Sequence, residues 1–351
     1  MTVATASGLL LTLMNSSDHD VIPSTLASRV SIVVGLALCT GALLWARSLV
    51  GAKATALAFS VGLVASAPFA SSITDNPWRF TYSIPITVLV LSIGWYIGRW
   101  WADVTCLIGL ALIGVVSDSR SNSAILFLTA VIILWQAISR TMFGRRRRAP
   151  VSIIGLALLG VGVYFVVQSA ILEGYFGQAT EARSVAQVDQ SGSLLLGGRP
   201  EAAASLALIN RYPWGLGSGI KATLPDVLSA KTAMSSIGYD PNNGYVERFM
   251  FGTGVEVHSV LGDLWIWLGL AGMLLAVGIA ATVLYGLRVQ LQASALSGLM
   301  AFLALRYLWD LAFSPVATAV TLLPLTIALA VVALPPRGSP TKLTPARRSP
   351  S

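Results

Sequence analysis

The stretch SVLGDLWIWLGLAGMLLAVGIAATVLYG, residues 259–286, is an almost unbroken apolar run of 28 residues. A helix that crosses a bilayer needs about 20 such residues, with a range of roughly 17 to 25. Eight further runs approach that length, at about 28–46, 54–73, 81–98, 102–116, 122–139, 151–170, 292–313 and 316–334. A shorter run at 3–14 reads as a partial span or an interfacial segment, which makes the number of spans nine or ten. A β-barrel would show alternating decamers instead of solid apolar blocks. The fold class is therefore all-α, a polytopic transmembrane helical bundle with a large extracytoplasmic loop cap.

Composition agrees. Only 11% of the chain is charged and 55% is hydrophobic, where soluble domains carry about 25% charged residues. Glycine is frequent (32 residues), as expected where membrane helices pack closely. Cys39 and Cys106 both lie inside apolar runs and read as small packing residues; metal-ligand spacing is absent. No Lys or Arg precedes the first apolar run, so a cleaved signal peptide is not expected.

Orientation follows from Lys and Arg in the short loops. One face collects Arg47, Lys53, Arg99, Arg140, the run Arg145 to Arg148, Arg288, Arg337, Lys342, Arg347 and Arg348, which is 13 of the 23 basic residues, against Asp103 alone among 15 acids. That face is expected to be cytoplasmic, so the net charge of +8 reports topology. The four consecutive arginines orient the chain rather than bind nucleic acid. The layout is then N-terminal transmembrane helices over 1–170, an extracytoplasmic segment over 171–257, C-terminal transmembrane helices over 258–334 and a basic Pro/Ser-rich cytoplasmic tail over 335–351. A segment as long as 171–257 is functional or disordered as a rule. Its apolar residues (Leu194 to Leu196, Leu206, Leu208, Trp214, Val227, Phe249), a helical pattern at 201–210 and a tight turn at Asn242-Asn243-Gly244 predict a folded cap.

The chemistry-bearing residues gather on that outer side. His258 stands where the cap meets the next span, as a general base for a hydroxyl or as an interfacial histidine with an ordinary hydrogen bond. Glu256 could orient it on extended backbone but not on a helix. Arg199, Arg211, Lys221, Lys231 and Arg248 are the cations of the cap, each suited to phosphate or simply solvating a loop. Arg120 lies in Val116-Ser117-Asp118-Ser119-Arg120-Ser121-Asn122, a polar pocket between apolar runs. A charge at that depth is a functional candidate unless it only pairs with Asp118. Arg306 and Asp310, one turn apart, suit an ion pair. His19 sits in a short polar loop and draws no functional reading. The glycine-rich Tyr212 to Gly219 lacks the Lys-Ser/Thr of a P-loop and follows no strand. Its N–H groups either approach an anion or form a turn after a helix.

Taken in order, Ser119-Arg120, then Gly198-Arg199, Pro213 with Gly215, Gly217 and Gly219, then His258 opening an apolar helix with Gly269 and Gly272, resemble the O-antigen ligase and O-antigen polymerase superfamily of bacterial envelope glycosyltransferases. The resemblance covers roughly 117–272. Ser259 stands where that family usually has Asn, and Trp267 where it often has an acid. The resemblance implies transfer of a glycan from a polyprenyl diphosphate carrier to a hydroxyl of a glycan, lipid or protein acceptor, at the outer face of the cytoplasmic (inner) membrane, without metal or cofactor. In that scheme His258 takes the acceptor proton, Arg120 and Arg199 hold the diphosphate, Arg199 serves catalysis as well, and Lys221 or Arg248 assist. A transporter or flippase of lipid-linked glycan, and a non-catalytic scaffold of an envelope assembly complex, are the alternatives from other classes.

Overall fold

The computed structural model describes residues 1–70, 76–142 and 200–331. The run expected at 151–170, the arginines at 145–148, Arg199 and the basic tail lie outside the described residues. Before residue 143 come α1 (Thr2–Asn15), α2 (Pro23–Val50), α3 (Ala52–Ala70), a π-helical turn (Trp78–Tyr82) leading into α4 (Ser83–Ile97), α5 (Trp100–Val116) and α6 (Arg120–Met142). After residue 199 come α7 (Glu201–Arg211), α8 (Leu224–Ser236), a second π turn (Val246–Met250), α9 (Val260–Gln292), α10 (Gly298–Phe313), α11 (Val316–Ala319) and α12 (Leu323–Ala330). Among the described residues there is no strand, only an isolated bridge between Val21 and Ile220.

Five helices are long and apolar enough to cross a membrane: Pro23–Val50, Ala52–Phe69, Trp78–Ile97, Ser121–Ser139 and Val260–Gln292. Their surfaces suit lipid. Val34, Leu38 and Trp45 stand exposed on α2, and Leu274, Val277 and Leu284 on α9, at spacings that line one side of a helix. Inside the helices, Thr55, Ser92, Thr129 and Thr326 each donate a hydroxyl to the carbonyl four residues back. That satisfies a polar group where no water is at hand.

The helix ends sort into two layers. At one end Arg47 donates to the carbonyls of Ala328 and Val331, Lys53 lies over the Tyr96 ring, and Gln136 donates to Leu296 O. At the other end Thr25 donates to Thr253 O, Asn76 to Ser117 O, and Val316 N–H to Asp263 Oδ2. The first layer gathers Arg47, Lys53, Arg99 and Arg288, basic positions that the sequence assigns to a single face. The second holds the cap residues 200–258.

Two expected spans are not simple rods. The run at 316–334 is two short helices separated at Val320–Leu322. Pro324 explains this: it has no N–H to donate and its ring would strike the carbonyl four residues back. It is accommodated in the first turn of a new helix. All eight residues of α12 are buried. Helix α9 breaks at Gly269, whose φ of 64° and ψ of −150° lie far from helical values. Its first part, Val260 to Leu268, is buried except for Leu261, and α1 packs along it: Ser7 donates to Leu268 O. The short run at 3–14 is thus a packed helix with Ala4, Gly8 and Thr12 on its inner face.

The Gly269 conformation is essentially restricted to glycine and costs about 1–3 kcal/mol in other residues; a Cβ there would also lie 2.5 Å from Trp214 O. Gly269→Ala is expected to lower the melting midpoint of the detergent-purified protein by several degrees. Gly278→Ala, in a helix with open space around it, leaves the midpoint unchanged; size-exclusion recovery after heating reads both.

Candidate functional site

The cap is knotted onto the bundle by a buried cation. Arg29, in the second turn of α2, is only 3% exposed. Its Nη1 donates to Ser218 O at 3.0 Å and its Nη2 to Val255 O at 2.9 Å. The guanidinium lies over the Trp267 ring, 4.5 Å from its centre, and Trp267 Nε1 donates to the same Val255 carbonyl at 2.7 Å. Asp263, fully buried, accepts from Val257 N at 2.7 Å and from Val316 N at 3.0 Å. Trp267 therefore has a packing role, its ring under the guanidinium and its N–H on the same carbonyl. Ser259 caps α9, its Oγ accepting from Gly262 N at 2.9 Å.

The glycine-rich turn is part of this knot. Gly215 N–H donates to Tyr212 O, Leu216 and Gly217 N–H to Ile266 O, Ser218 N–H to Gly8 O, and Gly219 N–H to Thr12 Oγ1. Every amide from 215 to 219 is engaged within the protein, so the anion-cradle reading gives way to the turn reading. Gly215 and Gly217 have positive φ and meet α9 and α1 at backbone distance.

His258 directly precedes the α9 cap. Its φ is 55°, a left-handed conformation uncommon outside glycine and more frequent for His, Asn and Asp than for most residues. Its ring lies 5.7 Å from that of Tyr245, centre to centre. Tyr245 Oη donates to Glu201 Oε1 at 2.5 Å. Two buried atoms in this group, His258 Nδ1 and Glu201 Oε2, have no hydrogen-bond partner among the described residues. Such atoms cost about 1–3 kcal/mol each, and together with the positive φ of His258 they make the group the candidate site.

The other sequence candidates are dispersed. Arg248 is exposed on the π turn next to Tyr245 and lies over the Phe249 ring. Lys221 is exposed, and no ion pair or ring contact links it to His258. Lys231 pairs with Glu247 and donates to Asn242 Oδ1. Glu256 is half-buried in a segment outside any helix and makes no hydrogen bond to His258; its charge bears on Arg29 and Asp263. Arg120 opens α6 at the cap end of the bundle; its side chain is not among those described. Asp118 accepts from Arg79 at 3.0 Å. Arg306 and Asp310 pair at 3.0 Å as their spacing predicts.

Sequence reasoning passed over four residues. Arg29 and Asp263 meet the same criterion that singled out Arg120, a charge within an apolar run. Glu201 and Tyr245 gave no such signal, because they meet across 44 positions. His19 is also more than a loop residue. Its Nε2 lies 3.2 Å from both Tyr212 Oη and Asp226 Oδ2. Asp226 further accepts from Tyr212 Oη, Thr223 Oγ1 and Thr223 N.

Burial pushes the Asp226 carboxyl up, but hydrogen bonds from Thr223 and Tyr212 and the neighbouring His19 outweigh it and hold it below the ordinary carboxylate value of 3.8. A lowered folded-state value means the stabilisation is complete above that ordinary value and fades as pH falls through the folded one. Thermal unfolding of the wild-type protein is therefore expected to lose stability on acidification below about pH 4. Asp226→Asn flattens that limb and costs about 1.5–3 kcal/mol at neutral pH.

No protein-family model, curated protein or solved structure matches the chain.

Proposed function

We propose that the protein is a multi-pass enzyme of the cytoplasmic membrane that transfers a glycan from a polyprenyl diphosphate carrier to a hydroxyl acceptor, with its cap on the extracytoplasmic side. The observation that carries this reading is His258, held at positive φ at the junction of cap and bundle, with no partner for Nδ1 among the described residues and its ring against Tyr245. Backbone strain clusters at active sites because the surroundings hold a side chain where chemistry needs it. An imidazole nitrogen with a free lone pair can take the acceptor proton as the glycosidic bond forms. The departing diphosphate needs positive charge more than a protein acid. The ordered sequence pattern supplies it through Arg120 and Arg199, with Arg248 near Tyr245 in sequence and Lys221 farther off. A lipid-borne donor also accounts for a site where a folded cap meets apolar helices.

The break in α9 and the divided α11–α12 segment favour a second reading. Discontinuous helices beside buried charges such as Arg29 and Asp263 are the usual architecture of transport sites. On that reading a lipid-linked glycan crosses the bilayer unchanged.

One pair of variants separates the two. His258→Asn keeps a residue tolerant of left-handed backbone, and Arg199→Ala removes the guanidinium. Each is expected to cut transfer from a purified lipid-linked donor by about 100-fold or more, with normal accumulation in the membrane. Full turnover in both variants ends the enzymatic reading. Glycan-lipid flux in vesicles without any bond transfer establishes the transport one.

A further inference from the structure

At the end of the bundle opposite the cap, a cavity of about 220 Å³ opens between α2, α3, α4, α9, α10 and α12. Arg47, Ala52, Trp95, Gln290, Met300 and Leu329 are among the residues that line it, and none of the lining residues is acidic. The Arg47 guanidinium is fixed from one side: Nη1 donates to Ala328 O and Val331 O, carbonyls at the end of α12. Carbonyls there lack partners within the helix and attract a cation. Nε and Nη2 have no acceptor among the described residues, and neither has the Trp95 indole N–H. The Gln290 amide nitrogen is already used, donating to Leu329 O at 3.3 Å. The cavity lining thus holds a guanidinium anchored through one amino group and an indole, both donors, with no carboxylate to compete.

Its surroundings say what kind of anion fits. Lys53, Arg99 and Arg288 stand exposed at the same end, and the one acid there, Asp103, is buried against Gly94 and Gly298. Trp45, Leu49 and Val50 on the last turns of α2, and Trp100 and Trp101 opening α5, are exposed. Tryptophan concentrates at the level of lipid headgroups. The volume is below the ~300–1,000 Å³ of pockets that enclose a drug-sized molecule. It suits a headgroup whose acyl chains stay outside against the apolar helix surfaces.

We propose that this cavity binds the phosphate headgroup of an anionic membrane phospholipid, with Arg47 and Trp95 donating to its oxygens. Bound there, the lipid joins the ends of α2 and α12 to α4 and ties the cation-rich end to its leaflet. Basic pockets between helices recognise headgroups in this way.

The test uses the full chain purified in a neutral detergent and measures the melting midpoint against added phosphatidylglycerol, phosphatidylcholine or inorganic phosphate. A ligand that binds only the folded state raises the midpoint in proportion to its occupancy. Phosphatidylglycerol is expected to raise it saturably, with little response to the other two. Arg47→Gln should weaken the apparent affinity about tenfold, the loss of a charge-assisted hydrogen bond. Because Arg47 also secures α12, Trp95→Phe serves as the second variant. It keeps the ring, removes the N–H, leaves α12 untouched, and should weaken binding several-fold, whereas Arg288→Gln should not. Equal responses to phosphatidylglycerol and inorganic phosphate would assign the site to free phosphate and overturn the lipid proposal. An unchanged phosphatidylglycerol affinity in both Arg47→Gln and Trp95→Phe overturns the site itself.

Discussion

One guanidinium organises the cap end of this molecule. Backbone that leaves the helical state within or beside a bilayer exposes N–H and C=O groups that no water satisfies. Here four such segments meet: the glycine-rich turn, the irregular stretch 255–257, the start of α9 and the start of α11. Arg29 takes the carbonyls of Ser218 and Val255 from one side, and Asp263 takes the amides of Val257 and Val316 from the other. An isolated buried charge is prohibitive. Two of opposite sign, each spending its hydrogen bonds on backbone, offset one another and the backbone together. Without either, the irregular segments would have no means of staying dry.

That constraint also positions His258. The residue lies between Val257, whose N–H is held by Asp263, and Ser259, whose side chain caps α9. Fixed on both sides, the backbone at 258 is driven into the left-handed region, and the side chain goes where Tyr245 waits. Tyr245 is itself fixed by Glu201 at the start of α7. The imidazole environment is therefore built by three parts of the chain that are far apart in sequence and joined through the cap. The His19–Asp226–Tyr212 cluster is separate. It fastens the α1–α2 connection to α8 and supports the cap from another side.

The sequence revealed the bundle well, because apolar length is a strong signal: α3, α4, α5 and α6 begin and end within a few residues of the runs that announce them. It was weaker on the breaks. Glycine is common in membrane helices, so Gly269 looks like any other small packing residue until its dihedral angles are known. Pro324 was a readable stop signal inside the last run, masked by the hydropathy around it. For the candidate site, the sequence drew attention to His258 by its place at a polar-to-apolar junction. Glu201 and Tyr245 were not, since nothing local distinguishes a buried carboxylate with a distant phenol partner from a loop acid. The glycines at 215, 217 and 219 left an anion cradle and a turn open in the sequence; their amides are used within the protein and their missing side chains allow close contact.

The two ends of the bundle solve opposite problems with the same side chain. At the cap end Arg29 is sealed among backbone carbonyls and an indole face, with its charge balanced by Asp263, so it is committed to structure. At the far end Arg47 spends only one amino group on α12, and no acid balances it among the described residues. A guanidinium has five N–H donors in a planar fork, so half-engagement leaves charged donors unused in the lining of a cavity. A cation buried and paired stabilises; a cation anchored and unpaired recruits. The difference lies in which donors the fold has already used, and that cannot be read from composition or hydropathy.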